Sequence, residues 1–182
     1  MRKIPISGGP HSGKTTLLNA LREEYPDAHF VEEPAEKVIA EQLALEESRQ
    51  GYTGIFPWNN YKQFAHLVLD AGVELEATIP KDADVVFQDR SLIDNIAYNR
   101  LNDVDSLIDR TQGLIAAANY ALAFFCEPVG SYAATVIRRE TPEEATRTHE
   151  YISTAYSESG LQVVHLPAVS VPDRIQLIRE VI

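Results

Sequence analysis

Residues 8 to 15 read Gly8-Gly9-Pro10-His11-Ser12-Gly13-Lys14-Thr15, the pattern G-x-x-x-x-G-K-[ST], directly after a short apolar run and directly before a helix-like run. The pattern constrains the fold because it works only where a strand hands the chain over to a helix. Gly8 and Gly13 permit backbone conformations that a side chain would block, so successive N–H groups can turn inward as an anion nest. Lys14 can then reach the outer phosphates of a nucleoside triphosphate and the Thr15 hydroxyl can coordinate Mg²⁺. The following helix points its positive end at the same place. The phosphate-contacting segment is therefore expected to comprise Gly8, Gly9, Pro10, His11, Ser12, Gly13, Lys14, Thr15 and Thr16. A glycine-rich turn that merely caps a helix is the alternative reading.

The flanking sequence supplies the required context. Ile4 and Ile6 give a short strand signal, with Pro5 marking a local irregularity, and Leu17, Leu18, Leu21 and Tyr25 recur at helical spacing until Pro26. His29 to Val31 read as a second strand, followed by a helix from Pro34 toward Gly51. After a loop from 51 to 57, Tyr61 to Leu75 read as a helix and Val85 to Phe87 as a strand with Asp89 at its carboxyl end. Helices are expected over 91–101 and 103–118, a fourth strand over 121–125, a helix from Pro142 to about Ser157, a fifth strand over 161–166 and a closing helix after Ser170. Strands alternating with helices specify an α/β fold: a three-layer α/β/α sandwich around a five-stranded parallel sheet, with ligands at the carboxyl ends of the strands.

At 182 residues, 45% hydrophobic and 24% charged, the chain suits one domain spanning 1–182. A formal net charge of −11 repels nucleic acid and anionic membrane surfaces, so neither is an expected partner. The single cysteine, Cys126, lies in an apolar run and reads as a core residue. With no Cys/His cluster at metal-ligand spacing, no signal-like N-terminus and no apolar run of membrane-spanning length, a cytoplasmic protein is expected.

Three strand-end segments carry the remaining chemistry. In Val31-Glu32-Glu33-Pro34, Glu33 leaves the second strand toward the nucleotide and is placed to act as general base on a hydroxyl acceptor; helix capping is its alternative role. In Phe87-Gln88-Asp89-Arg90-Ser91, Asp89 can hold Mg²⁺ together with Thr15, and Arg90 can bind the acceptor or the transferring phosphoryl group. A structural Asp89–Arg90 ion pair is the alternative. Arg138 and Arg139, with Arg147 one helical stretch on, suggest a lid over about 127–147 that closes over the phosphates. Solvated surface arginines are the alternative there.

Together with the pattern Glu144-Ala145, His149, Tyr156 and Gly160, these segments resemble the NadR-type P-loop ATPase/kinase family of AAA-domain proteins, and the similarity spans most of the chain. Glu33-Pro34 and Asp89-Arg90-Ser91 also resemble segments of deoxynucleoside kinases that hold a base and a phosphate-binding arginine. The resemblance implies a kinase-like P-loop fold related to nucleoside monophosphate kinases, with ATP and Mg²⁺ as cofactors and adenine held near 167–171. GTP is the second choice, although no Asn-Lys-x-Asp guanine-reading signature is present. The expected activity is phosphoryl transfer to a hydroxyl of a nucleoside-like or ribosylnicotinamide-like acceptor, with a homodimer as the candidate assembly. The alternative function is a nucleotide-dependent regulatory module that engages a protein or lipid partner, for which Tyr52, Phe56 and Trp58 would form the contact if exposed.

Overall fold

The computed structural model describes residues 1–129 and 141–182. Among them, β1 (Arg2–Ser7), β2 (His29–Val31), β3 (Val85–Asp89), β4 (Ala123–Cys126) and β5 (Val163–Leu166) form one parallel sheet in the order β2-β3-β1-β4-β5. The connections run through α1 (Lys14–Glu24), α2 (Pro34–Ser48), α3 (Tyr61–Ala77), α4 (Leu92–Leu101), α5 (Ile108–Ala118) and α6 (Pro142–Glu158), and α7 (Val171–Arg179) closes the chain.

Each strand feeds two cores because successive side chains point to opposite faces. Ile4, Ile6, Phe87 and Phe124 pack with Leu17 and Leu21 of α1 and Ile178 of α7 on one face. Phe125 and Ala123 pack with Ile93 and Ala97 of α4 and Ile152 and Tyr156 of α6 on the other. Each of the Ile, Leu and Phe side chains, once removed from water, contributes roughly 1.5–3 kcal/mol before conformational entropy is charged against it.

Pro5 produces the expected irregularity. Its register against Gln88 of β3 is regular, but on the β4 side the ladder holds at Lys3↔Tyr120 and resumes only at Ile6↔Phe124. Three steps along β1 therefore face four along its neighbour. Lys3 accepts from Ala121 N–H on that side, and Pro5, two residues on, has no N–H to continue the ladder. The fourth strand consequently begins at Ala123 rather than at Ala121.

The stretch expected as one helix over 103–118 is instead a 3-10 turn, Asp105–Leu107, leading into α5. The chain must reverse after α4, and it does so through Asp103 at φ 55° with Val104 and Leu107 buried beneath the turn. The 51–57 loop lies on α2: Gln42 Oε1 accepts from Tyr52 Oη (2.6 Å) and Ile55 N (3.0 Å), and Glu46 accepts from Gly54 N (2.7 Å).

The central strand β1 has β3 on one side and β4 on the other, a switch point whose crevice opens at the strands' carboxyl ends. Ile6 pairs with Asp89, so the glycine loop leaves the sheet beside the acidic end of β3.

Candidate active site

The loop from Gly8 to Gly13 turns under tight backbone constraint. Gly8 has φ 146°, and a Cβ there would stand 2.5 Å from the Cys126 carbonyl oxygen. Gly13, at φ 77°, is the N-cap of α1 and offers no side chain to cap it, which leaves the first N–H groups of that helix for a ligand. The loop is tied from outside. Val129 N donates to His11 O (3.1 Å), and Arg90 Nη1 donates to Gly8 O (3.3 Å). Gly9 N donates to His149 Nδ1 (3.3 Å), and Arg174 Nη1 donates to Ser12 O (2.5 Å).

Lys14 lies along this loop with its ammonium 3.5 Å from Asp89 Oδ1. That oxygen is buried and, the ion pair aside, has no hydrogen-bond partner among the described residues. Burial pushes the Asp89 carboxyl above its ordinary range and nearby Glu33 adds to the effect, while Lys14 and Arg90 oppose it. Glu36, on the first turn of α2, is also raised, chiefly by desolvation and then by Glu33 and Asp89. Three carboxylates thus crowd one side of the loop, an arrangement that favours added positive charge.

Arg90 occupies a left-handed conformation, φ 67°, which costs a non-glycine residue about 1 kcal/mol or more and persists only where surroundings impose it. Its N–H continues the ladder to Ile6 O (3.1 Å). Its guanidinium donates through Nε to Glu33 Oε1 (3.0 Å) and through Nη1 to Asp94 Oδ1 (2.9 Å), and it lies 5.3 Å from the Tyr98 ring centroid. Asp94 is 1% exposed and also accepts from Ser7 Oγ (2.6 Å), Ser91 N (3.0 Å) and Tyr156 Oη (2.7 Å). Ser91 and Asp94 form the capping box of α4, so the helix start and the orientation of Arg90 are fixed by the same carboxylate. Glu33 is the N-cap residue of α2, yet its side chain makes no capping bond. It is turned toward Arg90.

Two cavities meet at this pair. A cleft of about 660 Å³ is lined by residues 9–16 together with Glu36 and Trp58. A second pocket of about 210 Å³ has apolar walls from Tyr61, Phe64 and Val68, with Asn95 and Tyr98 opposite. Glu33, Arg90 and Tyr98 line both.

The structure therefore brings together Gly9 to Thr16, Glu33, Asp89 and Arg90, with Gly8 at the loop's root. Arg147 is not brought to the cleft: it is exposed on α6, 5.6 Å from the Tyr151 ring centroid. Arg138 and Arg139 lie outside the described residues, as does most of the 127–147 segment. The three loop aromatics divide. Phe56 is buried, Tyr52 is half-buried on Gln42, and Trp58 is 59% exposed, stacked on Phe56 at the cleft mouth. Sequence reading missed Asp94, Tyr98 and Arg174, and gave His149 only as part of the family pattern. Asp94 carried a signal, since Ser-x-x-Asp after a strand end is a helix-start pattern; Tyr98 meets Arg90 from the helix that follows it, and His149 and Arg174 touch the glycine loop only across long sequence separations.

An AAA domain family model matches residues 3–174. The chain is 29% identical over 117 residues to a thymidylate kinase of Aliarcobacter butzleri, covering 64% of this chain and 58% of that one. It is 28% identical over 160 residues to a probable thymidylate kinase of Halorubrum lacusprofundi, covering 84% and 76%. Among solved structures, the NadR protein in complex with NR superposes with a TM-score of 0.68 at 22% identity over 91% of this chain. The same protein with NAD and AMP-PNP gives 0.65 at 21% over 98%. The matches span 45% and 49% of those NadR chains, so this chain covers about half of that protein and less than two thirds of the first thymidylate kinase. The structural likeness shows the P-loop kinase fold. Among the described residues, no helix is long and apolar enough to cross a membrane.

Proposed function

The chain belongs to the AAA domain family, and from that premise we propose that it transfers the γ-phosphoryl group of Mg-ATP to a hydroxyl of an unphosphorylated, nucleoside-like small molecule. One observation carries this reading: Glu33 and Arg90 stand on the wall shared by the phosphate-loop cleft and a separate, largely apolar pocket. A bare hydrolase has no use for the second cavity, whereas a kinase needs a place for the acceptor beside the phosphates.

The residues fit the nucleotide. Lys14 and the inward N–H groups of the loop bind the polyphosphate and stabilise charge as it spreads over the transferring oxygens. They also fit Mg²⁺ delivered with it. Asp89 offers a buried oxygen that, its Lys14 ion pair aside, has no hydrogen-bond partner among the described residues, and Thr15 is exposed toward the cleft. Mg²⁺ keeps several waters and takes phosphate oxygens as ligands, so one carboxylate and one hydroxyl beside the phosphates are enough to hold it. When bound, that cation neutralises charge on the phosphates.

Glu33 takes the acceptor's proton as its oxygen bonds to phosphorus, while the bond to the bridging oxygen breaks and ADP leaves with the electron pair. Arg90 holds the Glu33 carboxylate in place through Nε. Asp94 in turn holds Arg90.

The pocket's charge favours an acceptor without a phosphate of its own. Arg90 is the one cation lining it among the described residues, and two carboxylates already engage that guanidinium. Among the described residues, a monophosphate there would meet Glu33 and Asp94 with no further cation in the lining, unlike the nucleotide that the relatives' name, thymidylate kinase, implies for them. Flat rings can lie among Tyr61, Phe64 and Tyr98. Trp58 lines the cleft itself, which favours a ligand over a protein partner as what covers it.

A screen of nucleosides, ribosides and their monophosphates for acceptor-dependent ADP release tests the proposal. Stimulation by an unphosphorylated acceptor supports it. Turnover that no acceptor raises above basal hydrolysis, or that only monophosphates raise, overturns it.

A further inference from the structure

Arg174 on α7 is 2% exposed, and each of its terminal nitrogens donates to a backbone carbonyl in a different loop. Nη1 reaches Ser12 O in the glycine loop (2.5 Å), Nη2 reaches Glu127 O after β4 (2.8 Å), and Nε reaches Pro167 O after β5 (2.8 Å). Carbonyl dipoles satisfy the donors without cancelling the charge. Burying a cation this way is costly unless something repays it, and the usual repayment, a carboxylate, is absent from this set of partners.

Geometry indicates what does. In a trans peptide the C=O and the next residue's N–H point in opposite directions, and the described residues contain no cis bonds. With Ser12 O drawn onto Arg174, the Gly13 N–H is turned away from it, toward the cleft. The guanidinium lies directly behind that glycine: a Cβ on Gly13 would be 3.5 Å from Arg174 Nη1. A positive charge thus stands at the back of the cradle whose front is the phosphate cleft, next to the positive end of α1.

We propose that Arg174 is a positioning residue for nucleotide binding, a buried cation that sets the Ser12–Gly13 peptide for phosphate contact and whose counter-charge is the bound polyphosphate. This rests on the nucleotide-binding reading above. It also joins the loop after β5 mechanically to the phosphate cradle, through the shared Pro167 and Ser12 contacts of one side chain.

Calorimetry with Mg-ATP and with inorganic tripolyphosphate, on the wild type, Arg174→Lys and Arg174→Met, tests it. Arg174→Met is expected to weaken both ligands by about tenfold or more, the scale of one lost charge-assisted hydrogen bond. Arg174→Lys, which keeps the charge but can serve fewer carbonyls, is expected to fall between, and the acceptor KM at saturating ATP stays unchanged in both. Binding within twofold of wild type in folded Arg174→Met overturns the proposal, as does a loss for ATP that tripolyphosphate does not share. Where Arg174→Met does not fold, wild-type affinity in Arg174→Lys overturns it. Absence of ATP binding by the wild type would instead sink the nucleotide reading itself.

Discussion

As the proposed general base, Glu33 has two demands to meet, since a base must be ionised to accept a proton and must be held still to receive it. The Arg90 Nε contact at 3.0 Å meets both, because a fixed guanidinium stabilises the carboxylate and removes its rotamer freedom. Glu33→Gln keeps the side chain's size and loses the proton acceptor. It is expected to lower kcat by roughly 10²–10⁴-fold while the ATP dissociation constant stays within about twofold, read by steady-state kinetics beside calorimetry. Unchanged turnover removes Glu33 from the chemistry. Asp89 carries a pH signature. Burial raises its carboxyl, so the native state binds that proton more tightly than the unfolded chain, and its contribution to stability is greatest at low pH and shrinks as pH rises through the raised value. From about pH 4 upward, the difference in unfolding free energy between wild type and Asp89→Asn is therefore expected to move against the wild type, measured by denaturant titration. Gly8 to Thr16, Glu33, Asp89 and Arg90 could be named from sequence because each sits at a strand end or in a motif of fixed spacing. Arg174 could not, and His149 entered only as part of a family pattern with no role attached, since the loop residues they touch lie 162 and 140 residues away and no local pattern announces the contact.

At the scale of elements, the strands and helices were legible because hydrophobic period and breaker residues agree along most of the chain. Pro26, Pro34 and Gly160 punctuate where the elements change. What escaped was governed by neighbours instead: α5 begins at Ile108 because Val104 and Leu107 must be buried in a reversal, and β4 starts late because Pro5 interrupts the ladder beside it. The 51–57 connection reads as a loop, and nothing in its own residues names Gln42 on α2 as its anchor. Gln42 is 7% exposed and its Oε1 accepts twice from that loop. Gln42→Ala leaves those donors unsatisfied, at a cost of about 1–3 kcal/mol. The expected readout is faster amide hydrogen exchange at Ile55, with little change at the core amides of β1 and β3. Loss of protection spread evenly through the sheet would show that the anchor serves the whole fold and not the loop.

Across the whole molecule, strand order converts separated segments into one site: β1 stands between β3 and β4, so a loop near one terminus meets an Asp-Arg pair from mid-sequence and an arginine from the last helix. A ligand that binds this assembled crevice and not the unfolded chain stabilises by mass action. On the proposed function, Mg-ATP at about one hundred times its dissociation constant is expected to add roughly 2.7 kcal/mol, or about 5–10 °C in Tm for a chain of this size. Lys14→Ala is expected to lose most of that shift in a thermal melt, and an undiminished shift would mean that the nucleotide binds elsewhere. Cys126, whose carbonyl oxygen sits 2.5 Å from where a Cβ on Gly8 would be, is the chain's sole thiol, is fully buried, and has its acidity suppressed to a pKa of about 11. An alkylating reagent can reach that sulfur only during a breathing excursion, so the labelling rate is a native clock for how often the ground beneath the loop gives way, and saturating Mg-ATP should slow it.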